Sequence, residues 1–284
     1  MMTVMQSNSL RKLSAFSTKP DGGNPAGVWV GDALPSAKDM QRIAAEVGYS
    51  ETAFVAPSTG QQRTIRYYSP EAEVPFCGHA TIATAVALAD DEGDGQFTLA
   101  TQVGEVPVTT QTVDGIRTAS LISVATEHKL PSGDLLAHIL RTLNWSIDDL
   151  DASIPPAIAF AGAHHLVLAT TKQSRLDRLE YDFEALKSLM LANDQTPLQL
   201  VWRCAAETFH SRNPFPVGGV VEDPATGAAA AAFGGYLRDA GLIDAPAAIT
   251  LHQGVVMGRP SKIGVQIPAE GGIVVSGAAV PIKD

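Results

Sequence analysis

Two stretches of this chain, roughly 150 residues apart and so about one domain length, follow a single plan, and that repetition constrains the fold more than any other feature. In the first, the β-rich Ile65-Arg66-Tyr67-Tyr68-Ser69-Pro70 leads through an acidic, proline-containing turn to Gly78. A helix of small residues then starts near His79, and Asp90-Asp91-Glu92-Gly93 ends it. In the second, residues 207–212 are strand-like, and Pro214, Pro216, Gly218 and Gly219 make a loop. Glu222-Asp223-Pro224-Ala225-Thr226-Gly227 is again an acidic turn with proline. A second small-residue helix follows from 228 to about 239, and Gly241 stops it.

These two helices are thin. One carries Ala80, Ala83, Ala85 and Ala87; the other is alanine from 228 to 232, with Gly234 and Gly235 beyond. Alanine favours the helical backbone, and a helix that is apolar on nearly every side is a buried one. Either helix alone reads as an ordinary alanine-rich core helix. The duplicated turn ahead of both predicts an α+β chain of two pseudo-symmetric domains, each a curved sheet or barrel wrapped around a central helix. Strands are expected at 26–30, 52–55, 97–100, 105–110, 118–124, 165–169, 198–205, 263–267 and 272–280. Further helices are expected at 40–47, 133–143 and 182–191. A crossover near 125–130 separates an N-terminal domain, 1–125 with a returning strand from about 272–284, from a C-terminal domain at 126–271.

Composition narrows the function. The chain has 284 residues, 45% of them hydrophobic and 18% charged, ample for a buried core. Its formal net charge of −10 repels nucleic-acid phosphates and anionic lipid. With no Lys/Arg cluster and no apolar run of membrane-spanning length, neither nucleic acid nor membrane is an expected partner. The opening MMTVMQSNSL lacks a signal-peptide pattern and reads as a short loose tail. Cys77 and Cys204 belong to no C-x-x-C pair, so zinc and redox readings gain no support, and a cytoplasmic setting is expected. His164 and His165 are neighbours whose side chains point to opposite faces of a strand. No metal and no organic cofactor is expected.

Candidate chemistry gathers at few positions. The helix starts at Gly78-His79 and Gly227-Ala228 carry unpaired N–H groups and positive partial charge. If the two halves face one another, these starts make an anion site for a carboxylate. Glu51 enters the strand-like Thr52-Ala53-Phe54-Val55; it is either an exposed strand-edge carboxylate or a general acid/base. His79 reads as a capping or core histidine or as a second site member. Asp223 reads as a turn residue before Pro224 or as a site residue, and Cys77 alone reads as a small buried hydrophobe.

Several motifs occur in order and point one way. They are Phe16 followed by Gly23-Asn24-Pro25-Ala26-Gly27-Val28, Ser50-Glu51-Thr52-Ala53-Phe54, Pro75-Phe76-Cys77-Gly78-His79-Ala80-Thr81, Glu222-Asp223-Pro224-Ala225-Thr226-Gly227, and Gln253-Gly254 through Gly258-Arg259-Pro260-Ser261. Over roughly residues 11 to 280 the chain resembles the phenazine-biosynthesis F (PhzF-like) proteins. The resemblance implies the diaminopimelate-epimerase-like fold with its site between two domains. It also implies cofactor-free isomerisation, in which one carboxylate removes a proton from carbon and returns it elsewhere on the same small carboxylate. Carried onto this chain, Glu51 is that carboxylate, and His79 and Asp223 line the site. Asn24 belongs to the opening signature, and Gly78, Gly227 and Ala228 offer backbone N–H groups. Family habit implies a homodimer.

The chain departs from the family pattern at Ala228, where serine is usual, and at Ser14, where an acidic residue is common. Ala228 removes a hydroxyl and points to a different substrate. Two other readings stand beside the isomerase. A racemase or epimerase of this fold uses a thiol at each helix start, but only Cys77 is present and the second position reads Thr226-Gly227-Ala228. An inactive carboxylate-binding protein is the remaining one.

Overall fold

The computed structural model describes residues 9–58 and 62–283. The chain divides into two compact units, Met1–Ile122 with Ser276–Asp284, and Ser123–Val275.

The first unit is a closed barrel around a helix. Strand Ser9–Ala15 pairs antiparallel with both Asn24–Val30 and Val274–Pro281. Asn24–Val30 then runs parallel to Glu51–Pro57, which pairs antiparallel with Gln62–Tyr68. Gln62–Tyr68 runs parallel to Gln96–Thr101, and an antiparallel meander continues through Gly104–Val113 to Ile116–Ile122. Ile116–Ile122 pairs with Val274–Pro281 and closes the ring. Closure leaves no edge of the barrel exposed for pairing with another chain.

The second unit repeats five of these pairings in the same order and sense. Ala157–Phe160 and His164–Thr170 are antiparallel, His164–Thr170 and Gln199–Ala205 parallel, and Gln199–Ala205 and Thr208–Phe215 antiparallel. Thr208–Phe215 runs parallel to Ala247–Gln253, which pairs antiparallel with Ser261–Ile267. A short strand, Glu73–Val74 in one unit and Val220–Asp223 in the other, pairs beside the strand that precedes each central helix. The duplication read from the two acidic turns is therefore a duplication of whole pairing patterns. Each parallel pair needs a crossover connection. The central helices Gly78–Glu92 and Gly227–Asp239 lie within the second crossover of each unit.

Both central helices are sheathed on all sides. Every residue from His79 to Ala89 is buried, as are Ala229 to Leu237. The first packs on strands Ser9–Ala15, Asn24–Val30, Glu51–Pro57, Gly104–Val113 and Ile116–Ile122. In the second, the small residues set the approach distance. A Cβ at Gly235 would lie 2.5 Å from the Thr126 side chain, and one at Gly234 would lie 2.9 Å from Val265 Cγ1. Gly235→Ala gains about 0.5–1 kcal/mol of helix preference but overpacks a close contact, which typically costs about 1–3 kcal/mol. The variant is expected to unfold at lower urea concentration than the parent; an equal or higher midpoint would show that Thr126 yields freely.

Two expectations are corrected. Ser9 and Leu10 do not belong to a loose tail but open strand Ser9–Ala15; residues 1–8 of that segment lie outside the described residues. Pro214 is not loop: it lies inside strand Thr208–Phe215, where the register shifts at Pro214/Phe215, and a bulge is a place in a sheet that tolerates the missing N–H. Cys204 lies within Gln199–Ala205, inside the strand expected at 198–205, and is exposed. Among the described residues, no helix is long and apolar enough to cross a membrane.

Candidate active site

In the first unit, chain geometry gathers Asn24, Glu51 and His79. Glu51 is the first residue of its strand and pairs with Ala26 on the neighbouring parallel strand. His79 is the second residue of the central helix, directly after Gly78. The Glu51 carboxylate Oε2 lies 3.4 Å from His79 Nε2, with the Glu51 side chain 19% exposed and the His79 side chain 7% exposed. Asn24, buried at the start of its strand, places Nδ2 3.2 Å from His79 Nδ1. Ser50 Oγ lies 3.4 Å from His79 Nε2. Nε2 therefore faces the Glu51 carboxylate and Nδ1 faces the Asn24 amide. Burial lowers the His79 pKa from its ordinary value, against smaller raising contributions from Glu51 and the Pro25 backbone. Burial thus favours the neutral ring.

Cys77 joins this group, which sequence reasoning missed. It is buried, as expected, but its Sγ lies 3.3 Å from His79 Nδ1 and 3.9 Å from Nε2. Ligand-type atoms of Glu51, Cys77 and His79 all lie within 4.8 Å of one another. His164 and His165 diverge: His164 Nδ1 lies 3.1 Å from Asp194, and His165 Nδ1 2.8 Å from the Pro197 carbonyl oxygen.

The start of the first central helix is braced from behind. Thr81 Oγ1 donates to the Cys77 carbonyl at 2.7 Å, and Tyr67 hydroxyl lies 2.7 Å from Thr81 Oγ1. Burial pushes the Tyr67 pKa up, so it stays a neutral phenol. The Phe76 ring meets Tyr67 edge-on at 5.9 Å. A Cβ at Gly78 would meet nothing within 4 Å, so neither packing nor backbone conformation requires glycine there. Open space over the helix start is what the missing side chain leaves.

The second unit carries Asp223, Gly227 and Ala228. Asp223 ends strand Val220–Asp223 and accepts a short hydrogen bond from the Thr226 hydroxyl, across the turn that starts the helix. Its neighbour Glu222 is structural, buried in a salt bridge with Arg212 whose Nε lies 3.0 Å from Oε1. Gly227 is buried and Ala228 half-buried. Gln253 positions this turn, a role its place in a motif did not disclose. Its amide donates to the Asp223 carbonyl at 2.8 Å and accepts from the Thr226 N–H at 3.2 Å. Gly254 follows with φ +71, where a Cβ would strike the Arg259 carbonyl oxygen at 2.3 Å; only glycine fits that position.

A barrel wrapped around a helix, with a carboxylate at a strand start beside a buried histidine, defines the diaminopimelate-epimerase-like fold. Comparison with known proteins names the group. The model of the PhzC-PhzF family, described as phenazine biosynthesis-like protein, matches residues 13–284, and the chain belongs to that family. It is 33% identical over 256 residues to trans-2,3-dihydro-3-hydroxyanthranilate isomerase of Pseudomonas fluorescens, covering 88% of this chain and 86% of the relative. A PhzF-family protein of Bacillus anthracis superposes with a TM-score of 0.85 at 24% identity, covering 96% of each chain. A probable proline racemase of Agrobacterium radiobacter shares the fold with a TM-score of 0.64 at 13% identity, over 96% of this chain and 91% of that one. The protein is an isomerase of the PhzF type.

Proposed function

We propose that this isomerase shifts a proton between carbon atoms of a small carboxylate without a cofactor, and that Glu51 carries the proton. The observation that supports this most directly is the contact of Glu51 with His79, 3.4 Å apart, with Glu51 the more exposed of the two. A general base must reach its proton in the bound substrate while its own orientation is fixed. His79, buried and held by Asn24, fixes it. Proton removal next to a conjugated system leaves negative charge that needs fixed donors. The N–H groups of a helix's first turn have no carbonyl of their own helix to reach, and the starts at Gly78 and at Gly227-Ala228 are the proposed contacts for anionic oxygen. Asp223, turned toward Thr226, is the proposed site residue of the second unit.

The test is deuterium exchange. The protein incubated in D₂O with small cyclic and amino carboxylic acids is expected to label at least one of them at carbon. Failure to label any acid that shifts its melting temperature on binding would leave a carboxylate-binding protein and overturn the proposal. Labelling accompanied by inversion at a single carbon would favour a racemase.

Substrate choice has its own test at Ala228. A serine there would add a hydroxyl, worth about 0.5–1.5 kcal/mol for a neutral hydrogen bond, or up to about tenfold. The protein is expected to turn over trans-2,3-dihydro-3-hydroxyanthranilate poorly, and Ala228→Ser to raise kcat/KM for it by up to about tenfold. Efficient turnover by the parent, unchanged in the variant, would show the position to be neutral.

A further inference from the structure

Thr226 stands at the N-cap of helix Gly227–Asp239, yet its side chain caps no N–H of that helix. A threonine at this position ordinarily gives its oxygen to the N–H of the second or third helical residue. Here the hydroxyl instead donates a short hydrogen bond to the Asp223 carboxylate. A side chain well suited to hold the helix is turned to hold a neighbouring carboxylate.

Gln253 sets that direction. It is buried at the end of strand Ala247–Gln253, and two backbone groups fix which way its amide points. The Thr226 N–H, 3.2 Å away, can only donate, so it faces Oε1. The Asp223 carbonyl, 2.8 Å away, can only accept, so it faces Nε2. Nε2 also lies 3.3 Å from Thr226 Oγ1 and has only hydrogens to offer it. The hydroxyl oxygen therefore accepts from Gln253, and its single proton goes to Asp223. A bond from a hydroxyl to an ionised oxygen is among the stronger hydrogen bonds, and a rotor that could point elsewhere is left with one orientation. Ser261 supports the same turn without touching this hydroxyl: its Oγ donates to the Pro224 carbonyl at 2.9 Å.

We propose that Thr226 and Gln253 are positioning residues for the reaction. Gln253 orients the Thr226 hydroxyl, and the hydroxyl holds the Asp223 carboxylate in the one orientation that meets substrate. This role rests on Asp223 being a site residue of the second unit.

The test follows kcat/KM for deuterium incorporation by the full chain, beginning with trans-2,3-dihydro-3-hydroxyanthranilate and then the other acids of the exchange experiment, using the one the parent labels fastest. Urea unfolding gives the stability of each variant. Thr226→Val keeps the shape of the side chain and both bonds of Gln253 to the turn backbone, and removes only the hydroxyl. It is expected to lower kcat/KM about tenfold or more, the scale of one hydrogen bond to a charged group, with a midpoint near the parent's because no helix cap is lost. Thr226→Ser restores the hydroxyl and should bring kcat/KM back to within about threefold of the parent. Gln253→Glu still accepts from the Thr226 N–H but competes for the hydroxyl proton, and should also cost about tenfold or more; if it does not fold, the two Thr226 variants carry the test. Ser261→Ala removes support of the turn alone. It should lower the midpoint and leave kcat/KM within about threefold. Normal kcat/KM in Thr226→Val, or an equal loss in Thr226→Ser or Ser261→Ala, would overturn the positioning role. Asp223→Asn separates this role from the assignment beneath it. Unchanged kcat/KM in Asp223→Asn removes Asp223 from the site and the positioning role with it. A loss there with none in Thr226→Val keeps Asp223 and overturns the positioning alone. A parent that labels no acid overturns both the proposed reaction and this role.

Discussion

Glu51→Gln is expected to retain ligand binding and lose turnover by two orders of magnitude or more. The amide keeps the shape of the side chain and its contact with His79, but it cannot accept a proton from carbon. General-base contributions are typically about 10²–10⁴-fold, and a loss confined to kcat identifies an interaction made in the transition state. Solvent deuterium incorporation in the parent and the variant, with binding followed separately by calorimetry, measures both quantities. Near-normal exchange in Glu51→Gln would remove Glu51 from the mechanism and shift attention to Cys77, the other proton-bearing group against His79.

The second large effect concerns stability in acid, and it lies away from the site. His165 is buried in strand His164–Thr170; its Nδ1 lies 2.8 Å from the Pro197 carbonyl oxygen, and its Nε2 is buried without a partner. Burial lowers its pKa from 6.5 to about 4, opposed by the bond to Pro197, with His164 adding to the lowering. Between pH 6.5 and about 4 the unfolded chain takes up a proton that the folded chain refuses. The unfolded state binds more protons there, so stability falls as the pH falls through this window and His165 adds no further loss below it. Each pKa unit is worth 1.36 kcal/mol, so the whole effect is about 3 kcal/mol. His165→Asn can still donate to Pro197 from the position of Nδ1 but cannot titrate. Urea unfolding at pH values from 7 to 4 should show a shallower loss for the variant than for the parent. Parallel curves for the two would mean that acid unfolding is governed by other groups.

The legible parts of the fold were those where local chemistry and tertiary position demand the same residue. A central helix enclosed by a barrel must be thin, so alanine at 80, 83, 85 and 87 and from 228 to 232 serves helix preference and close packing together. Strand Ser9–Ala15 was not legible in the same way. Its sequence, SLRKLSA, mixes charged and apolar residues without clean alternation. It is a strand because both its edges find partners in a closed ring, and ring closure joins segments more than 260 positions apart (Leu13 with Pro281). Pro214 carried a local signal for a loop that a bulge in the strand overrode.

At the site the same division holds. The sequence by itself determined which residues to consider: Asn24, Glu51, Gly78 and His79 in one half, Asp223, Gly227 and Ala228 in the other, each in a motif of the family. It also determined that a second thiol is missing at the second helix start. Only the tertiary structure decided what those side chains do to one another. Glu51 and His79 meet because a strand start and a helix start fall at the same end of one barrel, and no spacing in the chain encodes that meeting. Cys77 looked inert alone, yet its sulfur lies against His79. Gln253 looked like one letter of a motif, yet it holds the turn that carries Asp223 and Thr226. Helix and strand preferences are local, additive quantities that a sequence records directly. Distances between side chains far apart in the chain, and the burial that favours a neutral His79, arise only when the barrel closes around its helix.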